Sequence, residues 1–198
     1  MALLEFWFEF ASTYSYPAAM RIEEVARAAG VSVRWRPFLL GPIFRDQGWE
    51  DSPFNLYPEK GRYMWRDLER RCEKHGLALR RPSVFPRNGL LAARVALAAA
   101  DEPWGPEFVR GIYRANFAED REIAAAQVVA SALEAAGAPA AEWLERAGQP
   151  DAKQALREQT EAARRAGIFG APSWLVEGEL FWGDDRLEDA LAWALDRP

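Results

Sequence analysis

Apolar and polar residues alternate over the first ten positions of the chain. The side chains that share one face of an extended backbone are Leu4, Phe6, Phe8 and Phe10, and the opposite face carries both acidic residues of the segment. A period of two with large aromatic residues on one side is typical of a strand that is buried on that side. The pattern therefore predicts a first strand from Leu3 to Phe10.

A helix and a second strand are predicted next. Hydroxyl side chains precede Pro17, which suits a first helical turn, and the apolar spacing is then helical up to Ala29, where Gly30 ends it. Alternation resumes from Val31 to Trp35 and stops at Pro37. The first 37 residues thus form a βαβ unit, whose crossover is expected to be right-handed.

The rest of the chain divides into a long connection, a helical region and a second β-containing region. We expect a functional loop from Phe38 to Pro58, because a connection of this length is seldom a mere linker. Two short strands and a final helix are expected at Ser173–Val176, Glu179–Trp182 and Arg186–Leu195. Between them the spacing predicts helices over Gly61–Lys74, Gly89–Ala100, Pro106–Asn116, Glu122–Ala136, Ala140–Arg146 and Asp151–Ala166.

This order of elements predicts the fold class. An α/β chain that begins βαβ, continues through helices and ends ββα is arranged like a thioredoxin-like core with an all-helical domain inserted in its middle. We assign residues 1–40 and 150–198 to the thioredoxin-like domain and residues 41–149 to the inserted helical domain. The two halves of the sheet must then meet in space across the whole insertion.

Composition and charge exclude several functions. The net charge of −5 comes from 25 basic and 30 acidic residues without a long basic stripe, which argues against nucleic-acid binding. One Cys and one His form neither an internal disulfide nor a structural zinc site, and no metal is expected. The acidic residues Glu5 and Glu9 in the N-terminal stretch argue against a signal peptide or a membrane span, so a cytoplasmic location is the default expectation.

The candidate chemistry begins where the first strand runs into the first helix. Ser12 and Ser15 lie at the start of this helix, where unpaired N–H groups and the positive end of the helix dipole favour an anion such as a thiolate. The simpler interpretation is that one of these serines only caps the helix.

Two later segments are expected near this helix. In a thioredoxin-like fold, Ala171-Pro172 is where a cis proline faces the first helix and leaves backbone groups free for a peptide-like ligand. An ordinary loop proline is the alternative. The segment from Trp182 to Arg186 offers carboxylates for the charged end of a ligand, although an Asp there more often caps the last helix.

Taken together, these segments resemble the 2-hydroxychromene-2-carboxylate isomerase family, which is close to kappa-class glutathione transferases and more distantly related to DsbA-like disulfide oxidoreductases. The motifs occur in the family's order over nearly the whole chain, although Thr13 stands where the family has proline. The segments that carry the resemblance are Glu9–Tyr16, Pro58–Met64 with Asp67-Leu68, Phe85-Pro86, Phe169–Pro172 and Gly183–Leu187.

The resemblance implies glutathione as the cofactor and assigns roles to residues. Ser12 would donate a hydrogen bond to the glutathione sulfur, and Ser15 stands in the place of the second cysteine of disulfide oxidoreductases. Lys60 would reach the glycine carboxylate or an acidic substrate. The other implied glutathione contacts are Ala171 and Pro172 for the cysteinyl part and Trp182, Gly183, Asp184 and Asp185 for the γ-glutamyl end.

The implied reaction is a cis-trans isomerisation in aromatic compound degradation, which interconverts 2-hydroxychromene-2-carboxylate and trans-o-hydroxybenzylidenepyruvate. A thiolate adds to the activated double bond of an aromatic keto acid, the single bond rotates, and elimination follows. Asn55, Phe54, Phe44 and Arg45 are the expected substrate contacts, with Trp49, Tyr57 and Phe85 as further aromatic candidates. Core packing is the simpler interpretation of these aromatic residues.

Two other functions remain open at this stage. The chain could be a kappa-like glutathione transferase that conjugates aromatic electrophiles, or a noncatalytic thioredoxin-fold binding protein, as the missing cysteine pair suggests. The resemblance also implies a homodimer, for which the sequence itself gives no interface stripe.

Overall fold

The computed structural model describes residues 2–196, and a four-stranded sheet lies at its centre. Strands β1 (Leu3–Phe8), β2 (Ser32–Pro37), β3 (Ser173–Val176) and β4 (Glu179–Trp182) are arranged in the order β2-β1-β3-β4. Strand β1 is parallel to β2 and antiparallel to β3, and β3 and β4 form a hairpin. The two halves of the sheet meet at the β1–β3 pairing, as expected for a thioredoxin-like core.

Ten α-helices surround and extend the sheet in the described part of the chain, and a short 3₁₀ turn, Asp184–Arg186, precedes the last of them. The helices are α1 (Ser15–Ala28), α2 (Leu40–Asp46), α3 (Pro53–Leu56), α4 (Pro58–Lys74), α5 (Leu90–Ala98), α6 (Gly105–Phe117), α7 (Ala126–Ala135), α8 (Ala140–Gly148), α9 (Pro150–Arg165) and α10 (Leu187–Leu195).

The segment expected to be one long loop is largely helical, so that expectation was wrong. It contains α2 and α3. The Ser52 hydroxyl accepts a hydrogen bond from the backbone N–H of Phe54, and Pro53 takes the first helical position, which together start α3. This cap was readable in the sequence, whereas both helices are too short to give a clear hydrophobic period.

Both faces of strand β1 are buried. On the predicted aromatic face, Phe6 stacks on Trp174 of β3 with 4.7 Å between ring centroids. On the other face, Trp7 is only 3% exposed and packs with Phe38 and Ile168 in a second, smaller cluster. Helices thus cover the central strands from both sides. Glu5 lies on the second face, where an ion pair with Arg36 compensates its charge.

One continuous hydrophobic cluster joins the sheet to the helical region. It runs from Leu4 and Phe8 in the sheet through Ile112 in α6 to Leu133 in α7 and Trp143 in α8. Because a shared core does not place a boundary, the division at residues 40/41 and 149/150 stays a prediction. No helix within residues 2–196 is long and apolar enough to cross a bilayer.

Candidate functional site

The site lies where β1 ends and α1 begins. The Ser12 hydroxyl donates a hydrogen bond to the main-chain oxygen of Ala171 at 2.8 Å and accepts one from the backbone N–H of Ser15 at 3.3 Å. Ser12 is partly exposed, whereas Ser15 is fully buried. Tyr14 takes the N-cap position of α1 without a side-chain cap, so the simpler interpretation of Ser12 or Ser15 as the N-cap is wrong. Ser12 lies before the helix, where its hydroxyl accepts the first helical N–H and faces the segment before β3.

The segment opposite Ser12 has the expected cis peptide between Ala171 and Pro172. The main-chain oxygen of Pro172 accepts the N–H of Gly183 at 3.0 Å, and the Trp174 indole donates to the main-chain oxygen of Gly183 at 2.8 Å. Gly183 has a φ of 117°, which side chains rarely allow. The N–H and the carbonyl of Gly183 therefore both form hydrogen bonds within the fold. Gly183 contributes to the site through its backbone conformation, which directs the chain from β4 towards Asp184.

The two adjacent acids after β4 differ in environment. The Asp184 side chain is fully buried and accepts hydrogen bonds from Arg71 of α4 at 2.7 Å and from Arg21 of α1 at 3.4 Å. Asp185 is 51% exposed, with its nearest cationic contacts at 3.5 Å (Arg186) and 3.9 Å (Arg71). Two arginines balance the charge of Asp184, and Asp185 is the acid that faces the cavity with capacity for another cation.

A second carboxylate joins this network from α4. Asp67 accepts hydrogen bonds from the Tyr14 hydroxyl at 3.1 Å and from Arg71 at 3.2 Å. Burial alone would raise the pKa of Asp67, but the hydrogen bonds from Arg71, Arg70 and Tyr14 lower it below its ordinary value. Burial and the adjacent Asp67 hold the pKa of Tyr14 well above its ordinary value, so its hydroxyl stays a donor.

One cavity of about 1020 Å³ is lined by residues from all of these segments, among them Ser12, Ala171, Asp185 and Asp67. Aromatic pairs form much of its wall: Phe44 lies 5.5 Å from Trp49, and Phe169 lies 4.9 Å from Trp182, measured between ring centroids. Gly170 lets the Trp182 indole lie on the backbone, since a Cβ there would come within 2.4 Å of Nε1. The cavity is large, and aromatic rings, polar groups and charged groups all contribute to its wall.

Most of the site residues predicted from the sequence line this cavity, and two do not. Asn55 is not a lining residue, because its amide donates to Asp51 at 3.0 Å and to the main-chain oxygen of Phe85 at 3.2 Å. Pro172 is buried behind Ala171. Those that line it are Ser12, Phe44, Arg45, Phe54, Lys60, Ala171, Trp182, Gly183, Asp184 and Asp185.

The two predicted cations of the cavity are exposed. The Lys60 ammonium lies 4.7 Å from the centre of the Tyr57 ring, and Tyr57 itself is not a lining residue. Neither Lys60 nor Arg45 is paired with a carboxylate in the part of the chain that the structure describes. Both are therefore available to an anionic ligand.

Sequence reasoning gave no role to six charged lining residues: Glu9, Glu50, Asp51, Asp67, Arg71 and Arg87. The spacing of Asp67 and Arg71, four residues apart on one helix, was a readable sign of a pair. Nothing local marks Arg87, which is buried through contacts with Asn116 and with Asp120, a partner 33 residues away. Glu9 was noted as part of a motif but received no role.

The fold and the site define a class. This is a thioredoxin-fold protein without a redox dithiol: serines occupy positions 12 and 15, and the single cysteine, Cys72, is buried in α4. Burial raises the pKa of that thiol to about 12, which makes it unreactive at neutral pH.

The chain belongs to the family of the DSBA-like thioredoxin domain, whose family model matches residues 3–195. It is 28% identical over 195 residues to a 2-hydroxychromene-2-carboxylate isomerase of Sphingobium xenophagum, covering 98% of each chain. It is 29% identical over 204 residues to glutathione S-transferase kappa 1 of Homo sapiens, covering 93% of this chain and 87% of that one.

A solved structure of a 2-hydroxychromene-2-carboxylate isomerase has the same fold. It superposes with a TM-score of 0.87 at 24% identity and covers 98% of this chain and 95% of its own. The relatives named here are isomerase and transferase enzymes, which supports an enzymatic role for this chain.

Proposed function

We propose that this protein is a glutathione-dependent cis-trans isomerase of the 2-hydroxychromene-2-carboxylate type. The observation that carries the proposal is the position of the Ser12 hydroxyl. It lies 2.8 Å from the Ala171 carbonyl oxygen, just before α1, and Ser12 lines a large cavity with aromatic rings in its wall. A hydroxyl donor beside a helix N-terminus stabilises a thiolate, and the single cysteine leaves the chain without a dithiol for redox exchange.

The residues present fit glutathione. Ser12 supplies a hydroxyl group at the cavity, and the neighbouring Thr13 has a buried Oγ1 without a hydrogen-bond partner within the described residues. The exposed Asp185 and Lys60 offer opposite charges for the two ends of a zwitterionic tripeptide. A volume of about 1020 Å³ is ample for such a ligand together with a small aromatic substrate.

Each residue has a separate task in this proposal. When bound, glutathione supplies a thiolate sulfur that adds reversibly to an activated double bond. Ser12 turns its proton from Ala171 to that sulfur, which frees the Ala171 carbonyl to accept an amide N–H. Asp185 binds an ammonium group, and Lys60 binds a carboxylate. Asp184 positions the segment after β4 through Arg71 and Arg21.

The substrate half of the cavity is proposed to hold a planar aromatic keto acid. Phe44, Trp49 and Phe54 offer ring faces, and Arg45 offers a charge for the substrate carboxylate. Asn55 is left out of this set because Asp51 and the Phe85 carbonyl already occupy its amide.

The test is an isomerisation assay with trans-o-hydroxybenzylidenepyruvate in the presence and absence of glutathione. Conversion that requires glutathione and leaves its concentration unchanged is the expected result. Calorimetric titration with glutathione, with S-methyl glutathione as a thiol-blocked probe, measures binding independently. No binding of either compound would overturn the cofactor and the reaction together.

A kappa-like transferase is the second candidate, favoured by the 29% identity to a kappa-class enzyme over 93% of this chain. The same Ser12 would activate the same thiol, and the difference lies in the electrophile. Loss of free glutathione in stoichiometric amounts with a chlorinated aromatic compound would favour conjugation over isomerisation. Peptide binding without glutathione binding would favour the noncatalytic alternative.

Assembly and location belong to the same proposal. We propose a homodimer that acts in the cytoplasm on a small aromatic keto acid, in line with the resemblance described above. Light scattering measured together with size-exclusion chromatography gives the mass in solution, and a mass of one chain would contradict the dimer.

A further inference from the structure

Glu9 lies directly beside Ser12 and has a fixed position. Its Oε2 accepts the backbone N–H of Ala11 at 2.9 Å. Its main-chain oxygen accepts the backbone N–H of Ser12 at 3.0 Å and the hydroxyl of Tyr113 at 2.9 Å. The carboxylate and the Ser12 hydroxyl therefore belong to the same turn and line the same cavity.

The carboxylate of Glu9 has no compensating cation. Glu5 of β1 pairs with Arg36 at 2.7 Å, but no Lys or Arg forms an ion pair with Glu9 anywhere in residues 2–196. The cations that line the cavity are engaged elsewhere or exposed: Arg87 binds Asp120, Arg71 binds Asp67 and Asp184, and Arg45 and Lys60 are exposed.

The other neighbours of Glu9 do not compensate its charge. Tyr113 of α6 donates only to the main-chain oxygen, and Leu39 lines the cavity without a charge. Burial therefore dominates: it raises the pKa of Glu9 to about 7, against the opposing hydrogen bonds from the backbone of Ala11 and Ser12. Glu9 is thus poised to bind a proton near neutral pH.

A thiolate held by Ser12 would place a second negative charge in this turn. Two neighbouring anionic groups share protons, because ionisation of one strengthens proton binding by the other. Formation of the thiolate and protonation of Glu9 are then coupled, and together they add no net charge to the site.

We propose that Glu9 accepts the proton that a bound glutathione thiol gives up, so that this proton stays in the site instead of passing to solvent. The S–H bond breaks, an O–H bond forms on a carboxylate oxygen of Glu9, and no other reactant takes part. The inference rests on the glutathione binding proposed above and adds a proton acceptor to Ser12, the proposed thiolate donor.

The experiment counts protons and thiolates at about pH 8, where Glu9 without ligand is mostly ionised. Calorimetry of glutathione binding in two buffers of different protonation enthalpy gives the protons released per site. Ultraviolet absorption of the thiolate gives the thiolates formed. We expect the ratio of protons to thiolates to be near zero in the wild type and to rise to near one in Glu9→Gln.

Two controls separate the outcomes. Glu24→Gln removes an exposed acid of α1 and is expected to retain the wild-type ratio. An infrared band of a protonated carboxylic acid should appear on glutathione binding and be missing in Glu9→Gln. A ratio near one in the wild type overturns the role of Glu9 even if the variant fails to fold, whereas an absence of glutathione binding overturns the proposed function itself.

Discussion

The hydroxyl of Ser12 and the carbonyl oxygen of Ala171 are joined by a 2.8 Å hydrogen bond between residues 159 positions apart. A serine hydroxyl has one proton to donate, so it serves either this carbonyl or a ligand sulfur. Binding of a thiol at Ser12 thus releases the Ala171 carbonyl, which becomes an acceptor for an amide N–H of the same ligand. Under the proposed function, this contact marks the place where a peptide-like thiol binds.

Replacement of Ser12 by Ala removes this donor. We expect the fraction of bound glutathione present as thiolate to fall. We also expect kcat to fall roughly a hundredfold, as is typical when one hydrogen-bond donor directed at the reacting atom is removed. The free energy of unfolding should change by only about 1 kcal/mol, because one partly exposed hydrogen bond is lost. Thiolate absorption and a denaturant titration measure the two effects.

Ser15→Ala is the matched control for Ser12→Ala. Ser15 is fully buried and does not line the cavity, so removal of its hydroxyl should leave the thiolate signal unchanged. Equal loss of thiolate in both variants would show that the start of α1, and not the Ser12 hydroxyl, controls the thiol.

Ser12→Cys provides a positive test of the site. A cysteine at the N-terminal end of α1 and in the cavity wall is expected to have a lowered pKa and to form a mixed disulfide with oxidised glutathione. Intact-protein mass spectrometry should then detect one added glutathionyl group. Ser15→Cys, at a fully buried position, should gain none. The reverse pattern would place the ligand elsewhere.

The raised pKa of Glu9 predicts how stability depends on pH. The unfolded chain ionises this residue near pH 4.5 and the folded chain near pH 7, so the native state binds more protons between these values. The free energy of unfolding should therefore decrease as the pH rises through this window, by about 3 kcal/mol from this residue. Below this window the residue is protonated in both states and the destabilisation is absent, and above the window the destabilisation stays constant.

Glu9→Gln should remove that dependence. The variant is expected to gain stability relative to the wild type as the pH rises, and to match it near pH 4.5, because the amide is neutral in both states. Chemical denaturation at a series of pH values measures the difference. Parallel stability curves for the two proteins would contradict the assignment of this titration to Glu9.

Arg71→Met tests the network behind the cavity. It leaves the buried Asp184 with Arg21 alone, and we expect a loss of about 2–4 kcal/mol in the free energy of unfolding. Because the segment after β4 loses its support, the Kd for glutathione should rise while thiolate formation at saturation is retained. Calorimetry and thiolate absorption separate these two quantities.

Arg70→Met is the neighbouring control. Arg70 is exposed and pairs only with Asp67 among the described carboxylates, so a change of at most about 1 kcal/mol is expected. If both variants lost the same stability and the same affinity, the contact between Arg71 and Asp184 would have no special role.

The sequence predicted the sheet and most of the helices because their periods are regular and their ends carry Gly or Pro. Ser12 and the cis Ala171-Pro172 peptide were found because both lie at junctions of predicted elements. The charged network was not predictable in the same way. Arg71 meets Asp184 across 113 positions, and only the packing of α4 against the segment after β4 brings them together.

Asn55 is a predicted substrate contact that lies outside the cavity lining. Its place in the loop and its amide suggested a ligand contact, yet the α3 helix turns it towards Asp51 and Phe85. The short helices α2 and α3 lack a readable period, so the direction of each side chain in this segment follows from tertiary contacts alone.

The pairing of β1 with β3 also governs when the site is made during protein synthesis. Ser12 leaves the ribosome early, whereas Ala171 follows only after the entire helical region has been translated. Until then the apolar β1 has only β2 as a neighbour and one edge left open to other chains. A nascent or truncated chain that ends before β3 therefore lacks Ala171, the partner of Ser12. Under the proposed function, a purified fragment of residues 1–165 is expected to bind no glutathione.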